Sequence, residues 1–202
     1  MKRRPDPAAF RPTGELRIIG GQWRSRRLDF AAAAGLRPTP DRVRETLFNW
    51  LGQDLTGLRC LDLFAGSGAL GFEAASRGAA RVVLVERSGA VCRGLRANCK
   101  RLEARQVQVV EADGPRFLEG PVEAFDVVFL DPPFRCGLLA PACAALERRG
   151  WLAAAAWIYL ESEAAAALEA LPETWHILRA KQTGDLAYRL CRRAPPFPAA
   201  SP

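Results

Sequence analysis

Histidine is almost missing from this chain, and so is any paired-cysteine spacing. His176 stands alone, and the six cysteines at 60, 92, 99, 136, 143 and 191 include no C-x-x-C pair. Zinc-ligand spacing is therefore absent, and no metal site is expected. Nor does the set look like the disulfide framework of a secreted domain; free, buried thiols in a reducing cytosol suit it better. Long apolar runs are lacking too. The longest, Trp151 to Leu160, is ten residues, too short to cross a bilayer. Lys2, Arg3 and Arg4 are followed by proline and polar residues instead of an apolar segment, so no export signal is visible and a cytoplasmic location is expected. There is no internal repeat, which excludes a solenoid or propeller.

What is present is an ordinary globular composition. The 202 residues are 49% hydrophobic and 25% charged, enough for one sizeable core and short for two. Charge is unevenly placed. Residues 1 to 50 hold 11 Lys or Arg against 5 Asp or Glu, a net of +6 out of a chain total of +7. Such a basic segment favours a polyanion, most simply nucleic acid, although residues 1 to 12 alone read better as a solvated arm. The division expected is a basic arm and β-hairpin over 1–36, a catalytic domain over 37–193, and a fraying, disordered tail over 194–202.

The chain is organised around Cys60 to Gly71, reading CLDLFAGSGALG. Leu61, Leu63 and Phe64 end a buried strand, and Gly66 and Gly68 allow a tight turn into a helix N-terminus. Such a junction presents backbone N–H groups and the positive end of a helix dipole, and at the first strand of a doubly wound sheet it is where nucleotide-like cofactors sit. Gly66-Ser67-Gly68-Ala69-Leu70-Gly71 also satisfies G-x-G-x-x-G, so a dinucleotide has to be weighed. Asp62 discriminates: its carboxylate would repel a pyrophosphate and attract the ammonium of an amino-acid cofactor such as S-adenosylmethionine.

Around this loop the pattern alternates. Leu16 to Gly21 and Arg26 to Phe30 flank a basic segment and predict a hairpin, with Arg17, Arg24, Arg26 and Arg27 around Trp23. That tryptophan is either an exposed stacking surface for a base or a core residue under the hairpin. Residues 37–52 predict a helix with Thr39 as cap, Pro40 in the first position and Val43, Leu47, Trp50 and Leu51 on one face; Thr39, Arg42 and Glu45 lie near the cofactor if that helix is a lid, and are otherwise structural. Helices are expected from Ala69, Ser88, Leu138 and Ala164, buried strands at Arg81–Glu86 and Phe125–Asp131, and further strands at Val107–Val110 and Trp157–Ser162, before an antiparallel pair at Trp175–Lys181 and Leu186–Arg192.

Acids recur at strand ends. Glu86 can accept from ribose hydroxyls. Asp113 can accept from an adenine amino group, or it caps the next helix. Asp131-Pro132-Pro133-Phe134 closes a strand with prolines that leave outward carbonyls unpaired. There a carboxylate beside a carbonyl can take both protons of an exocyclic amine, and Phe134 offers a stacking face.

Taken together, RIIGGQWR, RPTPDRVRETLFNWL, LDLFAGSGALG, DPPF and TGDLAYRL resemble the bacterial small-subunit (16S) ribosomal RNA guanine-N2 methyltransferases, the RsmD-like family, over about residues 14 to 192. The resemblance implies an α/β, Rossmann-like class I methyltransferase fold: a seven-stranded, mostly parallel sheet with an antiparallel final strand, plus the N-terminal β-hairpin. It implies S-adenosylmethionine as donor and a guanine of 16S RNA as acceptor, of the guanine-966 type. By likeness Asp62, Ala65, Gly66 and Gly68 hold the methionine end, Glu86 the ribose and Asp113 the adenine. Asp131, Pro132 and Phe134 hold the target base. Arg17, Trp23, Arg24, Arg26, Arg27 and Arg42 are the RNA-contact candidates. The implied partner is the small ribosomal subunit, with ribosomal proteins forming part of the substrate surface, and the chain is expected to act as a monomer away from membranes. A DNA or RNA adenine-N6 methyltransferase shares DPPF, and a nicotinamide-dependent oxidoreductase shares the glycine loop and Glu86; these are the competing readings.

Overall fold

In the computed structural model, residues 14–30, 39–164 and 171–194 are described. The expected helix from Ala164, the first residues of the basic arm and most of the tail lie outside them. Two strands, β1 (Gly14–Arg17) and β2 (Arg27–Phe30), form the N-terminal hairpin. Helix α1 (Asp41–Leu51) leads to β3 (Arg59–Asp62), α2 (Ala69–Ser76), β4 (Arg81–Glu86), α3 (Gly89–Leu102) and β5 (Val107–Glu111). The chain continues through α4 (Gly114–Leu118), β6 (Phe125–Leu130), α5 (Leu139–Arg148), β7 (Leu152–Glu163), β8 (Trp175–Thr183) and β9 (Leu186–Arg193).

Seven strands make one sheet in the order β5-β4-β3-β6-β7-β9-β8. The first five run parallel, and β9 pairs antiparallel with both β7 and β8. Within the parallel part, β3, β4 and β6 are buried on both faces, which is why they read as apolar runs. Alternate residues feed two cores. Val82, Leu84, Val127, Phe129 and Tyr159 face α1, α2, α3 and the hairpin, while Leu61, Val83, Val128, Leu130 and Ile158 face α4 and α5. After β3 the chain builds outward through β4 and β5, then returns to place β6 on the other flank of β3. That reversal opens a crevice at the carboxyl ends of β3 and β6.

The hairpin is bound into this body by a buried carboxylate. Glu73 of α2 is fully buried and accepts from the Ile19 and Gly20 N–H groups at 2.9 and 2.7 Å. The same carboxylate meets Arg44 of α1 at 3.3 Å and Arg77 at 2.8 Å. Gly21, at φ 73°, lies so close to α2 that a Cβ would stand 1.9 Å from the Ser76 carbonyl oxygen; only glycine allows both the left-handed angle and the approach. On the α3 side, Asn98 donates to the Asp29 carbonyl at 2.8 Å, and Arg101 pairs with the Asp29 carboxylate at 2.9 Å.

Two expectations are corrected here. Trp23 is only 6% exposed and packs with Leu16, Ile18 and Leu28 in the core, so it has no face to offer a base; hydrophobic burial took the larger part of an amphipathic side chain. Thr39 makes no capping bond, and Pro40 occupies the cap position of α1, because the Thr39 hydroxyl turns toward the crevice instead.

Candidate active site

The glycine loop after β3 folds as expected and fixes the crevice floor. Gly68, at φ 77°, begins α2 in a left-handed conformation, with Leu95 and Phe72 where a Cβ would be. The Ala65 N–H donates to the Val85 carbonyl and the Gly68 N–H to the Ala65 carbonyl, so the turn is closed by its own backbone. Glu86, at the end of β4, accepts from the Gly66 N–H at 3.1 Å and the Ser88 N–H at 2.7 Å. Two backbone donors thus hold this carboxylate in one orientation beside the loop. Asp113 stands at the cap position of α4 without making a side-chain cap bond, and it is exposed at the same end of the sheet.

Strand register brings the acids together. Asp62 on β3 is opposite Leu84 on β4 and Phe129 on β6, and Phe129 is opposite Tyr159 on β7. Two residues further along each neighbour, side chains return to the same face. Glu86, Asp62, Asp131 and Glu161 therefore stand on one face of four adjacent strands, at their carboxyl ends. Asp62 is buried, with Oδ2 accepting from the Gly71 N–H at 3.1 Å. The Thr39 hydroxyl reaches Asp131 Oδ2 over a long 3.5 Å. Glu161 is 3% exposed and accepts from the Tyr159 hydroxyl at 2.8 Å.

Among the described residues, none of Asp62, Asp131 and Glu161 has an ion pair. Burial pushes the Asp62 carboxyl up to about 7, partly opposed by the Gly71 N–H and reinforced by the charges of Asp131 and Glu86. Burial also raises Asp131, against the Thr39 hydroxyl, and raises Glu161, with the Asp131 charge adding to it. Like charges in one crevice do not all ionise readily, and a cation or a set of hydrogen-bond donors arriving there favours their charged forms.

Next to Asp131 the chain turns through buried Pro132 and exposed Pro133, and the ring of Phe134 is 48% exposed. A cavity of about 190 Å³ lies between this turn and β7, bordered by Pro132, Phe134, Leu139, Cys143, Glu161 and Leu171 among others. A second, open groove of about 550 Å³ runs from Glu15, Arg17 and Arg27 of the hairpin to Thr39 and Asp41 at the start of α1. Arg17, Arg24, Arg26, Arg27 and Arg42 are all exposed.

The structure thus gathers Asp62, Ala65, Gly66, Gly68, Glu86, Asp113, Asp131, Pro132 and Phe134 along one edge of the sheet, and leaves Trp23 elsewhere. Sequence reasoning passed over Glu161, Tyr159, Arg44 and Glu73. For Glu161 a signal was there: it ends an apolar strand with an acid, as Asp62, Glu86 and Asp131 do.

The donor set bears on what can bind. A pyrophosphate over this loop would face Asp62 and Glu86 with no cation paired to either among the described residues. An ammonium and a ribose suit the same groups, so an amino-acid nucleoside fits where a dinucleotide does not.

Known proteins agree. The family model described as conserved hypothetical protein 95 matches residues 16–192. Ribosomal RNA small subunit methyltransferase D of Escherichia coli K12 is 49% identical over 181 residues, 90% of this chain and 91% of its own length. Its namesake in Haemophilus influenzae is 45% identical over 194 residues, 94% and 98% of the two chains. A solved structure described as a putative methyltransferase from Escherichia coli superposes with a TM-score of 0.84 at 49% identity, covering 90% of this chain and 99% of that one. The chain belongs to the conserved hypothetical protein 95 family, the family of ribosomal RNA small subunit methyltransferase D.

Proposed function

We propose that this chain transfers a methyl group from S-adenosylmethionine to the exocyclic N2 of one guanine in 16S RNA, guanine 966 by resemblance, on the small ribosomal subunit. One observation carries the reading: the Asp131-Pro132 corner, with Phe134 beside it, stands next to Asp62 across the β3–β6 crevice. The relatives named for small-subunit RNA support the substrate class. S-adenosylmethionine supplies an electrophilic methyl on a sulfonium when bound. Asp62 would receive its ammonium, Glu86 its ribose and Asp113 its adenine.

The chain's own residues do the rest. The N2 amine of guanine is a poor nucleophile because its lone pair is delocalised into the ring. Asp131 and the Pro132 carbonyl each accept one N2 proton, drawing the nitrogen toward tetrahedral geometry and aiming its lone pair. Positive charge develops on that nitrogen during transfer, so the Asp131 carboxylate stabilises the transition state more than the ground state. The methylated ammonium is strongly acidic, and its proton leaves through Asp131 or water. A guanine inside a helix cannot present this edge; it is flipped or looped out and stacked on Phe134.

The test is incubation with labelled donor of small subunits from a strain lacking the chain, beside adenine-containing DNA duplexes, followed by nucleoside mass analysis. N2-methylguanosine in the small-subunit RNA is the expected product. Methyladenine in either substrate would overturn the reading.

Cofactor binding should depend on pH through Asp62. A carboxyl whose folded pKa is raised binds its proton more tightly when folded. Its contribution to stability is therefore full below 3.8 and is lost as pH rises toward about 7, whereas the ammonium of the ligand needs the carboxylate. Affinity for S-adenosylhomocysteine should rise by about tenfold per pH unit below neutrality and level off above it. Titration calorimetry across pH 5.5 to 8 should show that slope in the native protein and a flat profile in Asp62→Asn.

The hairpin arginines and the groove leading to Thr39 form the proposed RNA face. Arg27 pairs with Glu15 and Arg17 lies 3.9 Å from Asp41, all exposed, and such pairs yield readily to phosphates. Arg17→Glu with Arg24→Glu should weaken small-subunit binding by about tenfold or more and lower the salt slope by roughly two. The rate at saturating substrate should not change.

A further inference from the structure

We infer that Glu161 is the residue that selects guanine over other 2-amino or 6-amino purines, by accepting the guanine N1–H beside the amine held by Asp131. The inference rests on the guanine reading above and extends it from the reacting amine to the neighbouring ring atom.

Glu161 stands directly across from Asp131. Leu130 on β6 is opposite Leu160 on β7, so the next residue of each strand brings the two carboxyl groups together on the crevice face. The Asp131 charge raises the Glu161 carboxyl, in keeping with that proximity. Glu161 also borders the cavity shared with Pro132 and Phe134, which is the space a base stacked on Phe134 would enter.

Of the acids bordering that cavity, Glu163 is paired with Arg135 at 3.5 Å. Glu161 has no ion pair among the described residues; its side-chain partners are the Tyr159 hydroxyl and the Thr39 hydroxyl, the latter shared with Asp131. A buried carboxylate is costly unless it meets donors. A tyrosine hydroxyl supplies one donor and fixes the rotamer; the remaining capacity is open to a ligand.

The Watson–Crick edge of guanine carries an N1–H donor adjacent to the N2 amine. Two acceptor carboxylates side by side match two adjacent donors. Adenine and 2-aminopurine instead present a lone pair at N1, beside an amine that could still reach Asp131. The Tyr159 hydroxyl, donating to Glu161, favours its ionised form, and an ionised Glu161 would meet that lone pair with repulsion and no bond. The corner at Asp131 grips an amine of either purine, and Glu161 rejects those whose neighbouring nitrogen lacks hydrogen. A glutamine there would turn an N–H toward the same atom and accept the wrong bases.

The experiment uses small-subunit particles reconstituted with 16S RNA bearing guanine or 2-aminopurine at the target position. The readout is the ratio of kcat/KM for the two bases, which separates edge recognition from general damage. Native protein should prefer guanine by about 100-fold, because a buried acceptor left without its donor loses roughly that much. Glu161→Gln should bring the ratio to within about fivefold, since its amide can donate to N1 of 2-aminopurine. Tyr159→Phe, which keeps the acid and frees its orientation, should lower the ratio by about five- to tenfold, and it serves as the test if Glu161→Gln no longer binds S-adenosylhomocysteine.

A native ratio near one, or a ratio unchanged in the variants while guanine is still methylated, would overturn the assignment to Glu161 and leave the guanine-N2 reading standing. Failure of the native protein to methylate guanine at N2 would instead remove the reading on which the assignment rests.

Discussion

Asp131→Ala should lower kcat for methyl transfer by about 10³-fold, the loss seen when a preorganised group facing developing charge is removed. Affinity for S-adenosylhomocysteine should stay within about threefold, because in the proposed site Asp131 grips the acceptor and Asp62 the donor. Single-turnover methylation of small subunits and calorimetric titration of the ligand check the two halves separately. Parallel loss of both would mean that Asp131 organises the crevice as a whole. Asp131→Asn is a sharper probe: its amide keeps one acceptor oxygen and removes the charge, so it should fall between the native protein and the alanine variant.

Glu73→Ala should have the largest effect on the fold. One carboxylate accepts from two backbone N–H groups of the hairpin and from Arg44 and Arg77, all in the interior. Its removal leaves buried Arg77 without a counter-charge and buried Arg44 with Asp41 alone, which costs about 3–5 kcal/mol. For a chain of this size that lowers Tm by roughly 10–15 °C. Amide exchange in residues 14–30 should accelerate more than in β3, β4 or β6, because the hairpin loses its tether while the parallel sheet keeps its ladder. Uniform acceleration would show that Glu73 stabilises the whole domain equally. Replacing the full charged set with apolar residues could restore stability, yet it would not restore the N–H acceptors at Ile19 and Gly20; the carboxylate is there to fix where the hairpin sits.

Several parts of the site were open to reading because of strand-end chemistry. Asp62, Glu86 and Asp131 each interrupt an apolar run where a buried strand must surface, and an acid at that point has few roles in packing. The glycines were equally plain, since a strand-to-helix turn of this tightness needs left-handed backbone. Trp23 could not be decided from its neighbours. Arginines around a tryptophan describe a base-stacking surface and a hairpin laid on a core equally well, and only the approach of α2 buried it. Nothing between Val43 and Glu45 marks Arg44 as buried; its buried partner Glu73 is 29 residues away, beyond the range of helix periodicity. Thr39 had the right type and place for a cap, and lost that role to Pro40 because Asp131, 92 residues distant in sequence, stands within reach of its hydroxyl.

The amino-acid sequence by itself determined the alternation of strands and helices, the glycine turn and the presence of acids at strand ends, because hydrophobic period and backbone sterics act over a few residues. Which acids face one another was decided by tertiary structure alone. The reversal of strand order after β5 sets β6 against β3 and β7 against β6, and register then aligns Asp62, Asp131 and Glu161 on a single face. Pairing of distant strands is a long-range choice, and the crevice it creates belongs to no segment of the chain taken singly.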